Sequence, residues 1–221
     1  YVAGALGPSN KSISVTGGVT FNELINSYYT AACGLLEGNI DLILFETIQD
    51  TRNLKAAYLA LQKAMNEYYH VPLMLSFTIE STGTTLAGQT ADAFYYAVHH
   101  MNPLSIGLNC ATGPEFMTQF LKKLDSISNT YISVYPNAGL PNEEGKYEET
   151  PDTLAAKIEP FFENRYLNIV GGCCGTTPEH ISKIKEKSVN YFPRVVDTHK
   201  NENALSGLIT LVQPQNRPIY V

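Results

Sequence analysis

Six times along the 221 residues, a short apolar run rich in β-branched residues is followed by a longer segment of helical period. Strand then helix in strict repetition implies a parallel sheet with right-handed crossovers, which removes most other folds from consideration. The predicted strands are Val2 to Leu6, Asp41 to Thr47, Pro72 to Ile79, Ser105 to Cys110, Tyr131 to Asn137 and Leu167 to Gly171. Cap residues set the predicted helices. Thr20 opens one that runs to about Glu37, where Gly38 stops it, and Asp50 or Thr51 opens the next, to about Tyr69. Thr90 begins a helix to about His100, and Pro114 lies in the first turn of one to about Ile127. Pro151 begins the fifth, to about Glu163, and Thr177-Pro178 the sixth, ending near Tyr191.

Two architectures fit six such units. A doubly wound open sheet is complete with about six strands, whereas a (β/α)8 barrel has eight units in roughly 250 residues. The strand ends favour the barrel. Glu46, Thr47, Thr78, Asn109, Cys110, Asn137, Cys173 and Cys174 all stand at or just beyond the C-terminal end of a strand. A barrel gathers those positions at one mouth, while an open sheet spreads them along an edge. No Gly-x-Gly-x-x-Gly follows a strand, so nothing supports a dinucleotide site. The expected fold is α/β, a (β/α)8 TIM-type barrel that is incomplete, with about six of the eight strand–helix units. Tyr1 to Leu6 reads as a strand from the first residue, so the chain is expected to begin inside the fold. Residues 1–193 are assigned to the barrel. Residues 194–221, polar, with Pro214 and Pro218 and no helical stripe, read as a linker or a tail that wraps the domain.

Composition excludes several partners. A chain that is 44% hydrophobic and 16% charged suits one soluble globular domain with a sizeable core. The net charge of −6 and the absence of a basic run argue against nucleic acid. Apolar stretches stay well below the ~20 residues of a membrane span, and no signal segment opens the chain. Four cysteines without such a segment fit a reducing, cytoplasmic compartment better than a disulfide framework.

Cys33 lies inside a helical pattern and reads as core. Cys110, Cys173 and Cys174 each follow an apolar run beside a small residue. Brought from two strand ends to one mouth, three thiolates would hold zinc and leave its fourth position open, the layout of a catalytic site. Adjacent cysteines in a regular strand face opposite ways, so both reach one metal only where the strand has already turned. Gly171, Gly172 and Gly175 supply that freedom. A thiol redox pair is the rival reading, although redox motifs separate their cysteines by two residues.

Gly107-Leu108-Asn109-Cys110 with Gly113-Pro114-Glu115, and Gly171-Gly172-Cys173-Cys174-Gly175-Thr176-Thr177-Pro178-Glu179-His180-Ile181, resemble the two zinc-ligand motifs of the homocysteine S-methyltransferase family. Pro136-Asn137-Ala138-Gly139-Leu140-Pro141 is similar to the pattern between them. Ala3 to Pro8 and Leu44 to Thr47 resemble the family's third and fourth barrel strands, so the likeness runs from Tyr1 to Pro193. Ser81 to Thr90 and Ala204 to Leu208 are most similar to the cobalamin-dependent methionine synthases within that family, the latter to the connector before a folate-binding barrel.

The resemblance implies zinc on Cys110, Cys173 and Cys174, with Glu46 holding the homocysteine amino group. It implies that Asn137 lies beside the metal, able to take the fourth position when substrate is absent. The implied reaction is methyl transfer from methylcobalamin to zinc-bound homocysteine, giving methionine. The cobalamin- and folate-binding domains are implied partners, since no residue here resembles a cobalamin site. Betaine- or S-methylmethionine-dependent methyl transfer, and a non-catalytic zinc-binding fragment, are the alternatives. The absent first strand carries a Gly-rich turn and an acidic residue of the family pattern, which puts substrate affinity in question. His180 is expected to face solvent from the first turn of its helix, and the charged loop from Gly139 to Glu149 to be solvated or to act as a lid.

Overall fold

The computed structural model describes residues 1–198 and 204–212. These residues form a six-stranded parallel sheet, six α-helices and a separate two-stranded hairpin. The chain runs β1 (Ala3–Leu6), α1 (Phe21–Glu37), β2 (Leu42–Ile48), α2 (Thr51–Glu67), β3 (Leu73–Phe77), α3 (Ala91–Val98) and β4 (Ser105–Asn109). It continues through α4 (Pro114–Ile127), β5 (Tyr131–Tyr135), α5 (Pro151–Glu163), β6 (Ile169–Val170) and α6 (Pro178–Ser188). β7 (Ala204–Ser206) and β8 (Thr210–Val212) form the hairpin.

Each strand of the large sheet pairs in parallel with the next in sequence, β1-β2-β3-β4-β5-β6. A doubly wound sheet reverses its strand order part-way; this one does not. Consecutive order with right-handed crossovers puts every helix on one face and curls the other into a barrel interior. The architecture is six consecutive units of a (β/α)8 barrel.

Alternation along the strands shows which side is which. In β2, Ile43 and Phe45 are buried while Leu42, Leu44 and Glu46 are half-buried. The Phe45 ring meets Tyr28 of α1 edge-on at 6.4 Å, and Phe77 of β3 stacks on Phe94 of α3 at 3.9 Å. The apolar core therefore lies between sheet and helices, where each fully buried Phe, Leu or Ile contributes about 1.5–3 kcal/mol. The opposite face carries Ser76, Ser105, Gly107, Asn109 and Ser133 beside the bulkier Met74 and Tyr135, so polar groups line the barrel interior.

The helices start where their caps predict. Thr20 and Glu23 make a reciprocal capping box, and the Asp50 carboxylate accepts from the Arg52 N–H. Several elements end earlier than expected: α2 at Glu67, α6 at Ser188, and α3 at Val98 before a 3-10 turn over His99–Met101. β3, β5 and β6 likewise stop short, at Phe77, Tyr135 and Val170. No described helix is long and apolar enough to cross a membrane.

The segment after Pro193 is fastened at its start. Arg194 is only 4% exposed, and its guanidinium reaches the Asp125 carboxylate at 2.7 Å and the carbonyls of Ser128 and Thr130. A buried cation needs that full set of partners. Further on, the hairpin docks beside α3, where the Thr90 N–H donates to the Leu208 carbonyl and the Gln89 amide to Gly207. Three-residue strands are too short to show a period, so the sequence pattern does not reveal them. Pro214 and Pro218 lie outside the described residues.

Candidate metal centre

β4 ends at Asn109, and the chain then turns sharply. Cys110 and Ala111 both take left-handed backbone angles, φ +59° and +56°. Such angles cost non-glycine residues about 1–2 kcal/mol each. They bend the chain after the Cys110 N–H has made one more ladder bond, to the Tyr135 carbonyl at 3.1 Å. Gly107 permits this close approach of β4 and β5, since a Cβ there would lie 1.7 Å from the Ser133 carbonyl oxygen.

The other two cysteines come from the loop after β6. That strand ends at Val170, so the chain has turned before it reaches Cys173. The Cys173 N–H donates to the Pro136 carbonyl at 2.9 Å, and the Cys174 N–H to the Asn137 side-chain oxygen at 3.2 Å. The Ala138 N–H returns a bond to the Cys174 carbonyl at 2.9 Å. Of the three glycines in this loop only Gly175 uses the left-handed region, at φ +79°. Gly171 and Gly172 are needed for space instead, since a Cβ would press on the Tyr135 ring or the Thr176 side chain.

These turns bring three sulfurs together. Cys110 Sγ lies 3.7 Å from Cys174 Sγ, Cys173 Sγ lies 3.8 Å from Cys174 Sγ, and all three fall within 4.8 Å of one another. All are free thiols, since a disulfide needs about 2.05 Å. Tetrahedral zinc with bonds of about 2.3 Å spaces its sulfur ligands about 3.8 Å apart. The donor set and its spacing therefore fit a soft, four-coordinate ion with a vacancy. Burial pushes the Cys173 thiol up to about 12; the amide of Asn109 opposes the shift, and Cys110 and Cys174 add to it.

The geometry brings Asn137 to the cluster, where its oxygen holds the Cys174 backbone and the residue is 3% exposed. Glu46 stands across the mouth on β2, near enough for its charge to help burial raise the Tyr135 phenol. Among the described residues Glu46 makes no salt bridge to a neighbouring helix. It also lines a small, partly open pocket between the ends of β1 and β2 and the helices α1 and α2. None of the three cysteines lines that pocket, so it belongs to the sheet–helix layer and not to the sulfur cluster.

With this geometry in view, the sequence model of the homocysteine S-methyltransferases matches residues 1–188. The chain belongs to the homocysteine S-methyltransferase family. Solved structures of the homocysteine methyltransferase MmuM from Escherichia coli share its fold. The apo form matches with a TM-score of 0.65 and 21% identity over 84% of this chain and 62% of that one. The metallated form matches with a TM-score of 0.63 and 21% identity over 83% and 60%. The chain thus spans about three fifths of the length of these structures.

Two features of this family member run against or beyond the sequence reading. His180 is not solvent-facing: it is 5% exposed. Its Nδ1 accepts from the Thr177 N–H at 3.1 Å, and its Nε2 meets the Glu149 carbonyl at 2.9 Å. A ring that caps its own helix and ties down a neighbouring loop has no reason to turn outward. The loop from Gly139 to Glu149 is a small folded unit, with Pro141 bridging Tyr147 and the Asn142 side chain accepting from Glu144 and Lys146 N–H groups. Its Tyr147 ring lies against Gly175, where a Cβ would come within 2.3 Å of Tyr147 Cγ. Lys157 pins the loop's end through Glu149 at 2.5 Å and also reaches Glu115 at 3.1 Å. No sequence signal identified Tyr147. Asn109 carried one, as a polar residue at the C-terminal end of a strand.

Proposed function

We propose that the chain is the homocysteine-binding part of a zinc-dependent methyltransferase, of the cobalamin-dependent methionine synthase type. The convergence of three sulfurs at the spacing of a shared tetrahedral ion carries the reading. Cys110, Cys173 and Cys174 would hold the metal. The chemistry a bound zinc supplies is a lowered thiol pKa, which makes an incoming homocysteine a nucleophilic thiolate. Glu46, half-buried and without an ion-pair partner among the described residues, would pair with the substrate ammonium and orient it. Asn137 accepts from the Cys174 N–H, which supports giving it the place beside the fourth ligand in this reading.

The methyl donor, methylcobalamin, comes in this reading from a separate domain, and residues 194–221 lead toward a folate-binding one. The likeness of Ser81 to Thr90 and of Ala204 to Leu208 to the methionine synthases supports that assignment over a betaine- or S-methylmethionine-type donor.

Adding homocysteine to zinc-loaded protein while recording zinc-edge absorption tests the proposal. A new sulfur ligand is expected. A zinc site whose spectrum ignores homocysteine would leave a metal-binding fragment and end the substrate assignment.

A further inference from the structure

Asn109 is a heavily committed polar side chain in the barrel mouth. It is 1% exposed, and its amide makes four contacts to three other segments. Its Oδ1 accepts from the Thr47 N–H at 3.0 Å and from the Ser76 hydroxyl at 2.6 Å. Its Nδ2 donates to Thr47 Oγ1 at 2.9 Å and points at Cys173 Sγ, 3.8 Å away.

The orientation of this amide follows from its partners. A backbone N–H can only donate, so the atom facing Thr47 N must be the oxygen. That leaves both N–H groups on the side of Thr47 Oγ1 and Cys173. Thr47 is itself held at φ +56°, a left-handed angle that a β-branched residue seldom adopts. The reciprocal pair of bonds with Asn109 holds it there. The amide is therefore fixed by β2 and β3 before any ion arrives, with one N–H left for the sulfur.

We propose that Asn109 is a positioning residue for the metal centre: its side-chain N–H donates to the Cys173 sulfur and sets that ligand's direction and donor strength. A hydrogen bond to a thiolate draws electron density from the sulfur and fixes which lone pair faces the ion. Cys110 and Cys174 have no equivalent side-chain amide on them among the described residues. The three ligands are thus unequal, Cys173 facing an amide and Cys174 the Tyr147 phenol. The inference rests on the metal-site part of the proposed function and is independent of the substrate.

The test uses the whole chain loaded with cadmium-113. In the unaltered protein, one side-chain amide proton of Asn109 should show through-bond coupling to the cadmium, transmitted across the N–H···S contact. Its absence in loaded protein overturns the proposal, and no variant is needed to read it. Asn109→Asp supplies the second arm, because a carboxylate can still accept from Thr47 and Ser76 but offers the sulfur no donor. Cadmium and zinc affinity should fall by about tenfold or more, read on protein that circular dichroism shows to be folded. Unchanged affinity in a folded Asn109→Asp protein also overturns it. If the coupling is present but homocysteine leaves the cadmium resonance unmoved, the substrate reading fails and this one stands.

Discussion

Cys110 Sγ and Cys174 Sγ stand 3.7 Å apart although 64 residues separate them. Cys110 hangs from a left-handed turn after β4, and Cys174 from a loop bonded to Asn137 and Ala138, so two independent backbone devices aim the sulfurs at one point. Cys110→Ala, Cys173→Ala and Cys174→Ala should each cut zinc affinity by more than about a hundredfold, since a ligand matters more than the contacts around it. Chelator competition measures this, with about one zinc per chain expected for the parent protein. Retained tight binding in any of the three would remove that sulfur from the site.

The raised Cys173 thiol makes metal uptake depend on pH. Its folded value, about 12, lies above the unfolded thiol value, so the fold favours the protonated form. In metal-free protein that contribution is full below about pH 8.5 and is lost as pH rises toward 12. Zinc binds thiolates, so protons must leave, and affinity should weaken as pH falls from about 8 to 6 by up to about tenfold per unit for each thiol deprotonated. Calorimetry in buffers of different ionisation heat should detect the released protons, and a flat pH profile would contradict the thiolate assignment.

Ala111 occupies a left-handed angle that glycine adopts without penalty. Ala111→Gly should raise stability by about 0.5–1 kcal/mol, the relieved strain exceeding the extra unfolded-state freedom of glycine. Urea denaturation of the metal-free protein reads the change. A loss of stability would show that the turn is not strained.

Gly107→Ala places a methyl 1.7 Å from the Ser133 carbonyl oxygen, against backbone that cannot move without parting β4 from β5. A cost above about 4 kcal/mol is expected, enough to leave the chain unfolded by circular dichroism. A folded variant with native stability would mean that the two strands can separate freely.

His180→Ala removes the contacts to the Thr177 N–H and the Glu149 carbonyl together. Stability should drop by about 1–3 kcal/mol. Protease cleavage between residues 139 and 149 should speed up, because that loop loses the His180 fastening while Lys157 and the Tyr147–Gly175 packing remain. Unchanged cleavage would assign loop order to those two contacts.

The alternation of strand and helix, the cap residues and the polar strand ends were all legible in the sequence, because each follows from local chemistry repeated at a fixed period. Family resemblance added the three cysteines as a ligand set. What only the tertiary structure decided were relationships between segments far apart in the chain. Consecutive strand order, which separates the barrel from a doubly wound sheet, depends on which strands pair and not on where they lie. The burial of His180 depends on the Glu149 carbonyl arriving 31 residues away in the chain. The role of Asn109 exists only because Thr47, Ser76 and Cys173 are folded around one amide. Hydrogen bonds and metal sites are satisfied in space, and a one-dimensional pattern records the groups that can make them without recording which of them meet.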